Sequence, residues 1–303
     1  MNSRRAQLQQ VIESNDVTRV PIVHDALSAK LADAVGFEAI ALSGHGVSIS
    51  ALGLPDTGYL TMPELVEVSR NVAHAVNTPV YTDVDTGFGN AIISRRTTEE
   101  LIRNTECAGF HIEDQVDPKR CGQVAGKQVI TRRELRGKIQ AVCDVRDDID
   151  DTFVVIGRTD VLGVSGKNID DAVVRGNEML DVGADVIFVD GINSLDQVYA
   201  VGQRIDGPLL YNKSGPNRSV SPVVDEETLG ELGYTLVTYH ASMTPTILAV
   251  HEYMSGLKAR GMKHVVDFEE ELGELPIGNF YEFEGMKRVA ELESDYLPDE
   301  EMQ

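Results

Sequence analysis

Apolar runs of membrane-spanning length are absent from this sequence, cysteines are scarce, and basic residues are heavily outnumbered. No hydrophobic run reaches the ~18–20 residues that cross a bilayer, so no membrane partner is expected. The opening stretch MNSRRAQLQQVIESND has no apolar centre of the kind a secretory signal carries. Three cysteines, Cys107, Cys121 and Cys143, are too few and odd in number for a disulfide scaffold, and suit a reducing, cytoplasmic interior. Only 27 lysines and arginines stand against 49 acidic residues, a formal net charge of −22. Such a chain repels phosphate backbones, so nucleic acid is not an expected partner. What is present is ordinary for a folded enzyme-sized chain: 42% hydrophobic and 25% charged residues over 303 positions, which excludes a disordered or collagen-like protein. A small anionic substrate would need a local positive centre from a metal, an arginine or a helix N-terminus.

Short β-branched runs alternate with longer amphipathic segments. The runs predict strands at Val20–Val23, Ala39–Ser43, Val80–Val84, Phe110–Glu113, Phe153–Arg158, Val186–Asp190, Leu209–Asn212 and Leu236–Tyr239. Helices are predicted over Leu27–Val35, Met62–Val76, Thr98–Cys107, Thr131–Asp147, Ile169–Val182, Leu195–Ile205, Asp225–Leu232 and Pro245–Arg260. Gly36, Gly109, Gly183 and Gly233 fall where a helix should stop and a strand begin. Eight such pairs predict an α/β fold, a single (β/α)₈ TIM barrel over 18–260. Residues 1–17 are expected to form an N-terminal helix, and 261–303 an acidic, aromatic C-terminal helical extension. The rival doubly wound sheet usually opens with a glycine-rich phosphate loop, and the first strand here runs instead into His24-Asp25-Ala26.

In such barrels the reactive groups sit at the C-terminal ends of the strands. Those ends carry Ser43, Asp83 and Asp85, Glu113, Arg158 and Asp160, Asp190, Asn212 and His240. Asp83 and Asp85, two apart, point the same way, and with Glu113 they make an oxygen-only cluster that would repel itself without a cation. Mg²⁺ suits that set, with Mn²⁺ as the alternative ion. After the fourth strand, Asp117-Pro118-Lys119-Arg120-Cys121-Gly122-Gln123 leads to Lys127, so three cations surround one cysteine. They would favour a thiolate at Cys121 and a role in acid–base chemistry. Cys107 and Cys143 read as packing residues on helices.

At these residues the chain resembles the isocitrate lyase and phosphoenolpyruvate mutase superfamily. The matching motifs are Ser43-Gly44-His45-Gly46, Leu52-Gly53-Leu54-Pro55-Asp56, Asp83-Val84-Asp85-Thr86-Gly87-Phe88-Gly89, Ile112-Glu113-Asp114-Gln115, Lys119-Arg120-Cys121-Gly122 and Gly157-Arg158-Thr159-Asp160. Lys-Arg-Cys-Gly is similar to the methylisocitrate and dimethylmalate lyase branch. The resemblance implies Mg²⁺ held by Asp85 with Asp83, Asp56 and Glu113 in support, and catalytic roles for Cys121, Arg158 and Lys119. It implies a carboxylate substrate bound by Ser43, Gly44, His45, Gly122, Gln123, Arg158, Asp190, Asn212 and Ser214. The implied reaction is carbon–carbon cleavage of a 2-hydroxy di- or tricarboxylate to a 2-oxo acid such as pyruvate. A homo-oligomer, dimer or tetramer, exchanging its C-terminal helix is implied as well.

Three positions depart from the branch: Gln123 where histidine is usual, Asp190 where glutamate is usual, and Asn212-Lys213-Ser214-Gly215 in place of a pattern with a nearby glutamate. Lys213 could supply a cation for the leaving carboxylate. These departures keep phosphonopyruvate mutase or hydrolase, oxaloacetate hydrolase or decarboxylase, and a non-catalytic metabolite sensor in view as alternatives.

Overall fold

The computed structural model describes residues 3–14, 16–121, 126–213, 220–272 and 276–297. Eight parallel strands close on themselves in sequence order: β1 (Thr18–Val23), β2 (Ile40–Leu42), β3 (Val80–Asp83), β4 (Gly109–Glu113), β5 (Val154–Thr159), β6 (Val186–Val189), β7 (Leu209–Asn212) and β8 (Tyr234–His240). Ahead of them lies α1 (Ser3–Glu13). Between them run α2 (Ala26–Val35), α3 (Gly44–Val47), α4 (Met62–Ala75), α5 (Ala91–Asn104), α6 (Arg132–Ile149), α7 (Ile169–Leu180), α8 (Leu195–Arg204) and α9 (Glu226–Glu231). After them come α10 (Met243–Arg260), α11 (Met262–Leu272), α12 (Phe280–Glu284) and α13 (Met286–Tyr296). This is the expected α/β barrel.

Helix starts are written locally. Thr61 with Glu64, Thr131 with Glu134, and Asn168 with Asp171 each form a reciprocal capping box that satisfies otherwise orphaned amides. α5 begins seven residues before the predicted start, because Asn90 caps it by accepting from the amides of Ile92 and Ile93. Ile92 and Ile93 are exposed there, which put the apolar period out of phase. Gly36, Gly183 and Gly233 adopt the left-handed conformation expected at a helix end. Gly109 does not: it lies inside β4, where a Cβ would sit 2.5 Å from the Val154 carbonyl oxygen. Cys107 likewise falls after α5 rather than on it.

Two apolar layers result. One lies between strands and helices and includes Phe110 packed edge-on against Phe153 at 5.5 Å. The other fills the barrel interior with Val20, Ala39, Tyr81, Val154, Val186 and Leu236, and is completed by Leu8 and Ile12 of α1. α1 thus stops the lower end of the barrel. Its Arg5 is buried and donates to the carbonyls of Ile102, Thr105 and Cys107 and, at 2.6 Å, to Asp150.

The chain divides into two compact units, Met1–Pro245 and Thr246–Gln303, and the division falls inside α10. Within the second unit Tyr253 packs on His264 and Phe268 at 5.0 and 4.7 Å. No helix among the described residues is long and apolar enough to cross a membrane.

Candidate active site

Alternation along each strand carries the interior from apolar to polar. β6 points Val186 and Phe188 inward and is followed by Asp190, while β5 runs Val154, Ile156, Arg158. The upper end therefore opens as a cavity of about 690 Å³. Its floor is Ile22, Ala41, Tyr81, Phe188 and Leu210, and its walls carry Ser43, His45, Asp56, Asp83, Lys119, Cys121, Arg158, Asp190, Asn212 and His240.

Each of the four carboxylates proposed for metal has a nitrogen partner. Lys119 stands between two of them, its Nζ 2.5 Å from Asp56 Oδ1 and 2.6 Å from Asp85 Oδ1. His111 Nε2 lies 3.0 Å from Asp83 Oδ1, and Arg158 Nε lies 3.2 Å from Glu113 Oε2. Asp83 lines the cavity, whereas Asp85 opens on an adjoining cleft beside Thr86. Asp85 is also held at φ +50°, a conformation that L residues adopt at a cost.

Electrostatically the four differ. Burial would raise the Asp83 carboxyl, but His111, Lys119 and Arg158 outweigh it and hold it below the ordinary range. Burial raises Asp85 to about 6, with Lys119 working against it and Asp83 and Asp56 with it. Burial likewise pushes Glu113 well up, opposed by Arg158 and Lys119 and reinforced by Asp160 and Asp85. Asp85 Oδ1 and both Glu113 carboxyl oxygens are buried without a hydrogen bond of proper geometry among the described residues. Burial and neighbouring acids raise Asp85 and Glu113 in spite of Lys119 and Arg158, so this end of the barrel is short of positive charge, and its buried hard oxygens fit a divalent ion such as Mg²⁺.

Two of the three cations expected around Cys121, Lys119 and Lys127, bind carboxylates. Lys119 serves the carboxylates. Lys127 Nζ is 2.8 Å from Asp160 Oδ1 and 3.4 Å from Asp190 Oδ2. Arg158 is held by Asp160 through Nε and Nη2 at 2.8 and 3.0 Å, so one fork of its guanidinium already grips a protein carboxylate. Asp114 fixes that end of β5 by accepting from the Asp160 amide and the Thr159 hydroxyl. Cys121 itself is half-buried and faces the cavity, while Cys107 and Cys143 are buried thiols that burial pushes up to about 11 and 12.

Of the expected substrate contacts, Ser43 caps α3 by accepting from the Gly46 amide at 3.0 Å. Gly44 backs onto the acids, where a Cβ would lie 3.1 Å from Asp85 Oδ1. Asn212 lines the cavity and accepts from the Thr238 hydroxyl. Lys213 turns its Nζ to the Ser221 carbonyl and is not in the lining. Gly122, Gln123 and Ser214 lie outside the described residues. Tyr59 is 58% exposed and borders a separate cleft beside Pro118 and Arg120. Sequence reasoning missed His111, although its place two residues before Glu113 on one strand sets both on the same face.

Comparison with known proteins agrees with this geometry. Residues 8–256 match the family model described as phosphoenolpyruvate phosphomutase. A 2,3-dimethylmalate lyase of Eubacterium barkeri is 33% identical over 96% of this chain and 97% of its own. A 2-methylisocitrate lyase of Aeropyrum pernix is 35% identical over 82% of this chain and 79% of its own. A crystal structure of phosphonopyruvate hydrolase complexed with oxalate and Mg²⁺ superposes with a TM-score of 0.84 at 26% identity, covering 97% of this chain and 99% of the other. The chain belongs to the phosphoenolpyruvate phosphomutase family, in the isocitrate lyase and phosphoenolpyruvate mutase superfamily. It is an enzyme of the carbon–carbon lyase kind.

Proposed function

We propose that this enzyme is a Mg²⁺-dependent lyase. It would cleave a branched 2-hydroxy di- or tricarboxylate, of the 2,3-dimethylmalate or 2-methylisocitrate type, into a 2-oxo acid such as pyruvate and a second carboxylate. The observation that carries this reading is a cysteine, Cys121, facing one cavity with Asp56, Asp83 and Arg158. Asp85, Asp83, Asp56 and Glu113 would hold the ion. When bound, it supplies Lewis acidity that makes a substrate hydroxyl easier to deprotonate.

The protein's own groups do the rest. Lys119 keeps Asp56 and Asp85 facing one another. Ser43, Gly44 and His45 border the place for the 2-oxo acid end. Arg158, with Nε and Nη2 taken by Asp160, would meet a substrate carboxylate through Nη1. The hydroxyl proton passes to solvent water, the alkoxide oxygen's electron pair forms the carbonyl of the 2-oxo acid, and the carbon–carbon bond breaks with its electron pair moving to the departing carbon as an enediolate. The Cys121 S–H then gives that carbon its proton. Exposed apolar side chains in the second unit, among them Leu248, Met254 and Leu257, support assembly as a homo-oligomer.

Incubation with Mg²⁺ and racemic 2,3-dimethylmalate or 2-methylisocitrate tests the reading. Release of a 2-oxo acid, lost on chelation, is expected; no release across a panel of branched 2-hydroxy acids would overturn it. The likenesses to phosphonopyruvate hydrolase and to oxaloacetate acetylhydrolase favour a second reading, cleavage of phosphonopyruvate or oxaloacetate. Inorganic phosphate appearing from phosphonopyruvate by phosphorus NMR, or oxalate from oxaloacetate, would establish it instead.

A further inference from the structure

Two donor sets of different chemical hardness lie at this end of the barrel. One is the oxygen-only group of Asp83, Asp85, Asp56 and Glu113. The other is mixed: His45, Asp56 and Cys121 each offer a ligand atom, and these three atoms lie within 4.8 Å of one another. They come from three separate segments, α3, the loop that follows it, and the loop after β4, and all three line the cavity. Imidazole nitrogen, carboxylate oxygen and sulfur are the donors Zn²⁺ prefers and Mg²⁺ does not.

From this convergence of nitrogen, oxygen and sulfur donors we infer that the enzyme has a second, thiophilic metal site, formed by His45, Asp56 and Cys121, which takes Zn²⁺ or a similar borderline-soft ion. Tetrahedral bonds of ordinary length set ligand atoms roughly 3.3–3.8 Å apart, so side-chain shifts of about half an ångström close the set. Asp56 is common to both sets and to Lys119: when the soft ion takes Asp56, the oxygen set keeps Asp83, Asp85 and Glu113, and the Lys119 ammonium keeps Asp85 as its partner. Bound metal ties up the Cys121 sulfur, so it inhibits turnover. That consequence rests on the proton-donor reading above, whereas the binding itself does not.

The test uses the full-length protein in millimolar Mg²⁺, which occupies the oxygen set. Zn²⁺ is titrated by calorimetry, and alkylation of Cys121 is followed by mass spectrometry; Cys107 and Cys143 are buried, so the label reports on Cys121. One equivalent of Zn²⁺ is expected per chain, with alkylation of Cys121 suppressed. Co²⁺ in place of Zn²⁺ should give a thiolate-to-cobalt charge-transfer band. Cys121→Ser should abolish the band, and His45→Gln should weaken Zn²⁺ by more than the roughly 10–100-fold cost of losing an outer partner. Zn²⁺ uptake unchanged in both variants, no uptake in the wild type, or normal Cys121 alkylation at saturating Zn²⁺ would overturn the site. None of these readouts uses turnover, so failure of the lyase assay and failure of this site are told apart.

Discussion

The two ends of the barrel use the same eight strands for opposite purposes. At the lower end the inward positions are Val20, Ala39, Val154, Val186 and Leu236, and α1 seals them with Leu8 and Ile12. A buried cation there, Arg5, is matched by three carbonyls and Asp150. At the upper end the same alternation delivers Asp83, Arg158, Asp190, Asn212 and His240, and two buried carboxyls, Asp85 and Glu113, are raised by burial and neighbouring acids more than Lys119 and Arg158 offset. Stability and reactivity are thus separated along the strand axis, one residue pair at a time. The matched charge below costs nothing further to keep; the mismatch above is where a ligand gains its binding energy.

Substitutions at either end sharpen that contrast. The largest effect is expected from Cys121→Ser, which should lower kcat by about 10²–10⁴-fold while thermal unfolding stays at the wild-type temperature. An unimpaired variant would take the cysteine out of the chemistry. Lys127→Met at the same end removes the buried partner of Asp160 and Asp190 and should cost about 3–5 kcal/mol in urea unfolding. At the lower end, Leu8→Ala should cost about 2–5 kcal/mol by leaving a cavity under the barrel, with kcat per folded molecule unchanged. A drop in kcat matching the stability loss would mean the two ends are coupled.

The smallest effect is electrostatic and lies below. Burial works to raise the Asp150 carboxyl, but Thr152 and Arg5 hold it under its ordinary value of 3.8. A carboxyl held low binds fewer protons folded than unfolded, so its contribution is complete above pH 3.8 and fades as pH falls further. The stability gap between wild type and Asp150→Asn should therefore narrow in urea melts taken from pH 7 down to pH 3. A constant gap would deny Asp150 that role.

The barrel was legible because β-branched runs and capping residues act locally. All eight strands lie where Val, Ile and Phe runs predicted them, and the acid-bearing strand ends followed from counting by twos. What the sequence hid depends on which partner a charge finds. Lys119 and Lys127 read as neighbours of Cys121 because they flank it in the chain, yet both reach across to carboxylates from other strands. Gly109 read as a helix stop because it follows one, and its actual reason, the Val154 carbonyl at 2.5 Å, belongs to a residue forty-five positions later. The short α3 and the π-turn over Ser48–Leu52 had no apolar period long enough to announce them.

Binding of Mn²⁺ as a stand-in for Mg²⁺, followed by electron paramagnetic resonance, tests the charge mismatch most directly. The account predicts one saturable site per chain in the wild type, retained in Leu8→Ala and lost in Asp85→Asn. Equal Mn²⁺ binding by wild type and Asp85→Asn, or no saturable site in either, would contradict it.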